Sequence, residues 1–359
     1  LLRWLLHVGL YQIIYMDRIP GAAAVNTSVE LVKAGKLFRL APVVNGLLRA
    51  ALRAKSSGSE LPTSKNNIEG LSQKHSMPLW LIEKFVSWRG VKSAEDIAEA
   101  SNQVPPIDLR VNRLRTNPED LKKNFAEFGI GCSLIEDCPN GLRIESRAGD
   151  MRQWPGYKEG FWCVQDSSSQ WVAPLLNVRP GERVLDACSA PGGKTTQLAE
   201  LMGDKGELWA VDRSVDRLRR VSMNAKRLGL TCINVFAADA TLLSQETDIS
   251  SFHKILVDAP CSGLGTLARH PDARWRITPR QVKELVVLQA ELLESLLSLL
   301  KPGGRMVYST CTINPEENSD QIKSFLKHHQ NLKLHSQRQT WPNMHKSGDG
   351  FYAAAIDLA

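Results

Sequence analysis

From about residue 160 onward the chain alternates short apolar runs with amphipathic stretches, and that order limits the folds open to it. Arg183 to Ala187 runs into a glycine-rich turn, and Thr195 to Met202 has helical spacing. Leu208 to Val211, Cys232 to Phe236, Lys254 to Val257 and Arg305 to Tyr308 read as strands, with helices at Ser214 to Leu228 and Pro279 to Leu300 among them. Parallel strands must be joined by crossovers, so this order predicts an α/β domain over 161–359: a parallel sheet with helices on both faces.

The earlier part of the chain is patterned differently. Residues 1–58 carry apolar side chains at three- and four-residue spacing (Leu2, Leu5, Leu6; Val43, Leu47, Leu48, Leu52) and predict an all-α domain. Asn26, Thr27 or Ser28 is expected to cap the helix bearing Val29. The polar stretch 59–76 reads as a linker, and 77–160 as a small α+β subdomain with helices at Pro78 to Ala100 and Glu119 to Phe128. Its strands are expected at Leu109 to Leu114, Cys132 to Ile135 and Leu142 to Ile144. The run from Leu1 to Ile14, broken by Arg3, His7 and Gln12, is too short and polar to span a bilayer and lacks the flanks of a signal peptide. It begins inside a helical pattern, so a further N-terminal stretch is expected before it. Forty-five Lys plus Arg against 38 Asp plus Glu leave +7, which suits a polyanionic partner without demanding one. Seven cysteines without a CxxC pair argue against a disulfide framework and a zinc ribbon; no metal is expected, and free thiols point to a reducing compartment.

The turn Cys188-Ser189-Ala190-Pro191-Gly192-Gly193-Lys194 joins a strand to a helix start, where glycines admit a ligand and helix N–H groups are unpaired. It has neither the GxxxxGK[ST] spacing of a phosphate loop nor the GxGxxG of a dinucleotide site. Asp212 ends the next strand, where a carboxylate accepts both hydroxyls of a ribose, and Asp239 ends the third, within reach of an adenine amino group. Together these predict a nucleoside cofactor without a pyrophosphate. The thiols of Cys163, Cys188 and Cys232 read as small buried hydrophobes.

Two other cysteines stand just past strand ends, in Asp258-Ala259-Pro260-Cys261-Ser262-Gly263 and Ser309-Thr310-Cys311-Thr312-Ile313-Asn314-Pro315-Glu316-Glu317-Asn318. With SAPGGKT and the Gln165-Asp166-Ser167-Ser168-Ser169 segment, these motifs resemble the RNA cytosine carbon-5 methyltransferase family called Sun, Fmu or NOL/NOP/Sun, from Gln165 to the end of the chain. GLYQIIYMDRIP, AVNTSVELVKAGK and VVNGLLRAALR resemble the NusB-like helical domain, a combination typical of the bacterial-type 16S ribosomal RNA branch of that family. The resemblance implies a Rossmann-like core using S-adenosylmethionine, a NusB-like domain and a small subdomain that both touch RNA, and small-subunit ribosomal RNA as the partner. It further implies a monomer off the membrane, in bacterial cytoplasm or plastid stroma.

The same resemblance implies the site. Carbon 5 of cytosine is a poor nucleophile until a thiolate adds to carbon 6. Cys311 takes that role in the family's pattern, Cys261 helps remove the carbon-5 proton, and Asp258 hydrogen-bonds the base edge while lying against the cofactor. A thiol is only a few per cent ionised at neutral pH, so Lys194 or Arg269 is expected to supply a nearby positive charge. The chain departs from the family in having Ala268 for one of two arginines before His270-Pro271-Asp272, read as a change in RNA grip, and Ser189 where alanine is commoner. Arg110, Arg113 and Arg115 are candidates for phosphate contacts. An exocyclic-amine methyltransferase would carry Pro-Pro-Tyr after Asp258 or Asn there; a DNA-type enzyme would make Cys261 the nucleophile. An RNA-binding assembly factor without activity, and a different RNA such as tRNA, are the remaining alternatives.

Overall fold

A computed structural model describes residues 1–58, 67–146, 149–245, 251–343 and 348–359. The chain divides into two compact units, Leu1–Asn66 and Asn67–Ala359.

The first unit is helical, with α1 (Leu2–Tyr15), α2 (Gly21–Ala34) and α3 (Ala41–Ser56) around Ile13, Ala24, Val25, Val32, Val44 and Leu48. Helix α2 starts eight residues earlier than a cap at Ser28 would allow, because Pro20 sets the entry and three alanines follow Gly21. The Ser28 hydroxyl instead donates to the Ala24 carbonyl at 2.8 Å inside the helix. Leu48 is buried as expected, but Val43 and Leu47 face outward.

The expected linker is shorter than 59–76. Residues 59–66 lie outside the described ones, and Asn67–His75 forms helix α4, with Leu71 and His75 buried against α5 (Leu79–Ala100). Helix α5 bends at Gly90, whose φ of +77° few other residues adopt. It is followed by β1 (Ile107–Val111), α6 (Pro118–Glu127), β2 (Cys132–Ile135), β3 (Cys138–Ile144) and β4 (Trp162–Val164). These four strands form an antiparallel sheet in the order β2-β3-β1-β4, with Leu109 opposite both Leu142 and Val164. The subdomain's sheet therefore reaches past the expected boundary at 160.

After the short α7 (Ser167–Gln170) come β5 (Arg183–Asp186), α8 (Gly193–Leu201), β6 (Glu207–Asp212), α9 (Val215–Leu228), β7 (Ile233–Ala237) and β8 (Phe252–Asp258). Then α10 (Ala273–Arg276), α11 (Pro279–Leu297), β9 (Leu300–Thr310), α12 (Ser319–His328), β10 (Leu332–Gln339) and β11 (Tyr352–Leu358) complete the fold. The sheet order is β10-β11-β9-β8-β5-β6-β7; neighbours from β9 to β7 are parallel and β11 is antiparallel to both of its neighbours. Val184, Leu185, Leu256, Val257 and Val307 are completely buried, as a sheet covered on both faces requires. Chain order reverses beside β5, which has β6 on one side and β8 on the other, and a ligand crevice forms at the carboxyl ends of strands at such a switch point. Among the described residues, no helix is long and apolar enough to cross a membrane.

Candidate active site

The crevice beside β5 is a cavity lined by Cys188 and Ala190 after β5, Asp212 at the end of β6, Asp239 beyond β7, Asp258, Pro260 and Cys261 after β8, and Cys311 after β9. Leu288 and Leu292 of α11 supply an apolar side. Asp212 is buried and fixes its own surroundings, accepting the peptide N–H of Ser214 at 2.9 Å and of Ala190 at 3.3 Å. Asp239 is held by the hydroxyl and N–H of Thr241 at 2.7 and 3.0 Å; these bonds and Arg213 outweigh its partial burial and keep its carboxyl below the usual range.

The glycine turn shapes the wall from behind. Gly192 has φ +104°, and a Cβ there would sit 3.2 Å from the Val221 backbone of α9. Ser189, Pro191, Gly192, Gly193 and Lys194 are not themselves on the cavity lining. Lys194 instead reaches across to Asp258, Nζ to Oδ2 at 2.7 Å, while the Ser309 hydroxyl donates to Oδ1 at 2.7 Å. One carboxylate is thereby tied to the cofactor turn and to the strand that ends in Cys311.

At the far end of the cavity the sulfurs of Cys261 and Cys311 are 3.4 Å apart. The Cys261 thiol is pushed well above its ordinary value, first by its hydrogen bond with Cys311 and then by desolvation, with Cys311 and Glu317 adding negative charge. Beneath the two cysteines lies Glu317, without solvent exposure. Its carboxylate accepts the Ser262 N–H at 2.8 Å, the Ser262 hydroxyl, the Gln289 amide at 3.1 Å and the Asn314 amide at 3.2 Å. Helix α5 presses on both loops from the side, with Leu81, Ile82 and Phe85 in one cluster with Leu264, Leu267 and Ile313.

The family described as 16S rRNA methyltransferase RsmB/F matches residues 173–357, the ferredoxin-like domain of RsmF/B-like methyltransferases matches 77–150, and the NusB family matches 1–53. The chain belongs to the RsmB/F family of 16S rRNA methyltransferases.

It is 40% identical over its full length to a probable ribosomal RNA small subunit methyltransferase B of Synechocystis, of which it covers 83%. It is 37% identical to ribosomal RNA small subunit methyltransferase B of Klebsiella pneumoniae, with 98% of this chain and 81% of the relative aligned. A solved methyltransferase homologue from Pyrococcus horikoshii superposes with a TM-score of 0.73 at 29% identity, over 82% of this chain and all of that one. RsmB/F proteins are S-adenosylmethionine-dependent, and the cavity suits that cofactor: carboxylates for hydroxyl and cationic groups, an apolar flank for the base.

Within this RsmB/F chain, several expected roles move. Arg110 is completely buried: it pairs with Glu200 at 2.7 and 3.1 Å and donates to the Gly193 carbonyl at 2.7 Å, so it props the cofactor turn and touches no solvent. Arg269 bridges Asp166 and Asp349 and donates to the Pro106 carbonyl at 3.2 Å, so the charge expected to serve the thiol is committed to locking subdomain to core. Arg113 and Arg115 remain exposed. Glu317 and Gln289 carry no sequence signal beyond lying in a motif and a helix; only the packing shows what they join.

Proposed function

We propose that the chain transfers a methyl group to carbon 5 of a cytosine in small-subunit ribosomal RNA, with Cys311 as the nucleophile. The observation that carries this reading is the 3.4 Å approach of two thiols at the ends of adjacent parallel strands, on the wall of the cofactor cavity. S-adenosylmethionine, when bound against Cys188 to Ala190, Asp212, Asp239 and Asp258, supplies an electrophilic methyl group. The Cys311 sulfur, having given its proton to solvent, adds to carbon 6 and leaves carbon 5 nucleophilic. Asp258, steadied by Lys194 and Ser309, takes the base edge.

Cys261 enters after methylation. While Cys311 is free, its sulfur holds the Cys261 proton in place. Once that sulfur is bonded to carbon, the largest cause of the raised value is gone; Cys261 releases its own proton to solvent and, as a thiolate, takes the carbon-5 proton. The electrons of that C–H bond reform the ring double bond and expel Cys311 as thiolate. A cytosine flipped from a structured RNA loop fits a site this enclosed. The setting expected for it is bacterial cytoplasm or plastid stroma, where all seven thiols stay free.

Labelled methyl transfer to small-subunit ribosomal RNA tests this directly, comparing the native chain with Cys311→Ala and Cys261→Ala. The reading expects no transfer in the first and a trapped protein–RNA adduct in the second. Full activity in Cys311→Ala would move the attack to Cys261 or to another chemistry.

A further inference from the structure

Apart from the cofactor cavity, a larger cavity of about 590 Å³ opens between the turn joining β2 to β3 and the end of strand β10. Of the three arginines that line it, Arg143 is paired with Asp108, and each of the other two stands over an indole. Arg89, on α5 next to the Gly90 bend, is 4.9 Å from the Trp341 ring centre, and Arg338, on β10, is 5.0 Å from that of Trp171. Neither guanidinium forms an ion pair among the described residues, in contrast to Arg110, Arg143 and Arg269, which are all committed to carboxylates. The indole N–H of Trp171 is buried without a hydrogen-bond partner among the described residues. The other wall is acidic, with Glu136 and Asp137 on the β2–β3 turn.

This cavity is physically coupled to the cysteines. Gly265 donates to the Cys311 carbonyl at 3.0 Å, Gly350 donates to the Gly265 carbonyl at 2.8 Å, and Asp349, the next residue, lines the cavity. It lies at the catalytic end of the sheet, since Tyr352 pairs with Thr310, the residue before Cys311.

A ligand for such a place needs phosphates for two exposed guanidinium groups, flat rings beside the indoles, and amino groups for the acidic wall. An RNA duplex hides its base edges and stacking faces, whereas a single strand presents all three features. We propose that this cavity binds the single-stranded nucleotides flanking the target cytosine, with Arg89 and Arg338 on backbone phosphates. This rests on the RNA substrate of the function proposed above and adds a second subsite to it.

The test is the salt dependence of binding, read by titrating the full chain into a labelled single-stranded RNA oligonucleotide and into the same RNA annealed as a duplex. Arg89→Gln with Arg338→Gln removes two phosphate contacts, so the slope of log affinity against log salt becomes shallower by about 1.4, at about 0.7 per single-strand contact. Lys333→Gln, the same charge change near the other end of β10, leaves the slope unaltered. Arg89→Lys with Arg338→Lys restores the slope. Double-variant slopes parallel to those of the native chain, or an equal loss on duplex RNA, would overturn the proposal. Because this readout is binding, it separates from the reaction: a native chain that binds as expected but forms no 5-methylcytosine would defeat the proposed function instead.

Discussion

The carboxylate of Glu317 accepts the peptide N–H of Ser262 at 2.8 Å, so a side chain from the Cys311 loop fixes the backbone next to Cys261. The separation of the two sulfurs depends on that clamp. Glu317→Gln puts an amide nitrogen against groups that already donate, and the loops must separate to relieve it. Single-turnover methyl transfer is expected to fall about 100-fold, the effect of a misplacement near 1 Å, with KM for RNA little changed. A variant that melts early and loses RNA affinity in parallel would mean that Glu317 serves the fold alone.

Removing Arg110 leaves the buried Glu200 carboxylate unpaired, and Arg110→Met is expected to destabilise the chain by about 3–5 kcal/mol. Urea denaturation measures this. Arg110→Met combined with Glu200→Met removes both charges and is expected to recover most of the loss. S-adenosylmethionine affinity, measured by calorimetry, falls in the single variant because the Gly193 carbonyl loses its donor.

Gly265 has no room for a side chain: a Cβ there would come 2.0 Å from the Gly350 carbonyl oxygen. Gly265→Ala therefore pushes apart the segments that run beside Cys311. Thermal melting is expected to show about 1–3 kcal/mol of destabilisation, the usual cost of overpacking. The methylation rate is expected to drop as well.

Asp186, at the end of β5, is pushed up to about 7 by burial, against the opposing hydrogen bond from Thr195. The folded chain binds this proton more tightly than the unfolded one. Its contribution is therefore complete below the ordinary value of 3.8 and is lost as pH rises through about 7. Each pH unit in that window removes about 1.4 kcal/mol. Asp186→Asn, which mimics the protonated form, is expected to gain stability relative to the native chain from pH 4 to 7, as urea melts at stepped pH would show; a constant difference between the two would exclude this titration.

The catalytic core was legible because its information is local. A strand, a glycine turn and a helix start are adjacent in sequence, and Cys261 and Cys311 sit in short motifs at strand ends, where parallel topology alone brings them to one side. The edge of the sheet was not. Strand β10 carries lysine, histidine and arginine on an exposed edge, and β11 contains three consecutive alanines, so neither resembles a buried strand. Arg110 was misread for a related reason: a strand pattern tells which residues alternate, but what covers each face depends on α8, eighty residues further on. Helix α4 was taken for linker because only Leu71 and His75 of its polar sequence are buried.

The bond from Arg110 to Gly193 also bears on how these proteins can be recombined. A strand of the ferredoxin-like sheet supplies part of the support for the methyl-donor loop, so the segment matching 173–357 is not an exchangeable cassette. A chimera that joins it to a relative's ferredoxin-like domain must carry the partners of position 110, namely Gln165, Thr196 and Glu200, as one set. Drift at any of these positions is expected to be answered at the others, across a boundary that a map of family segments would draw as a clean division.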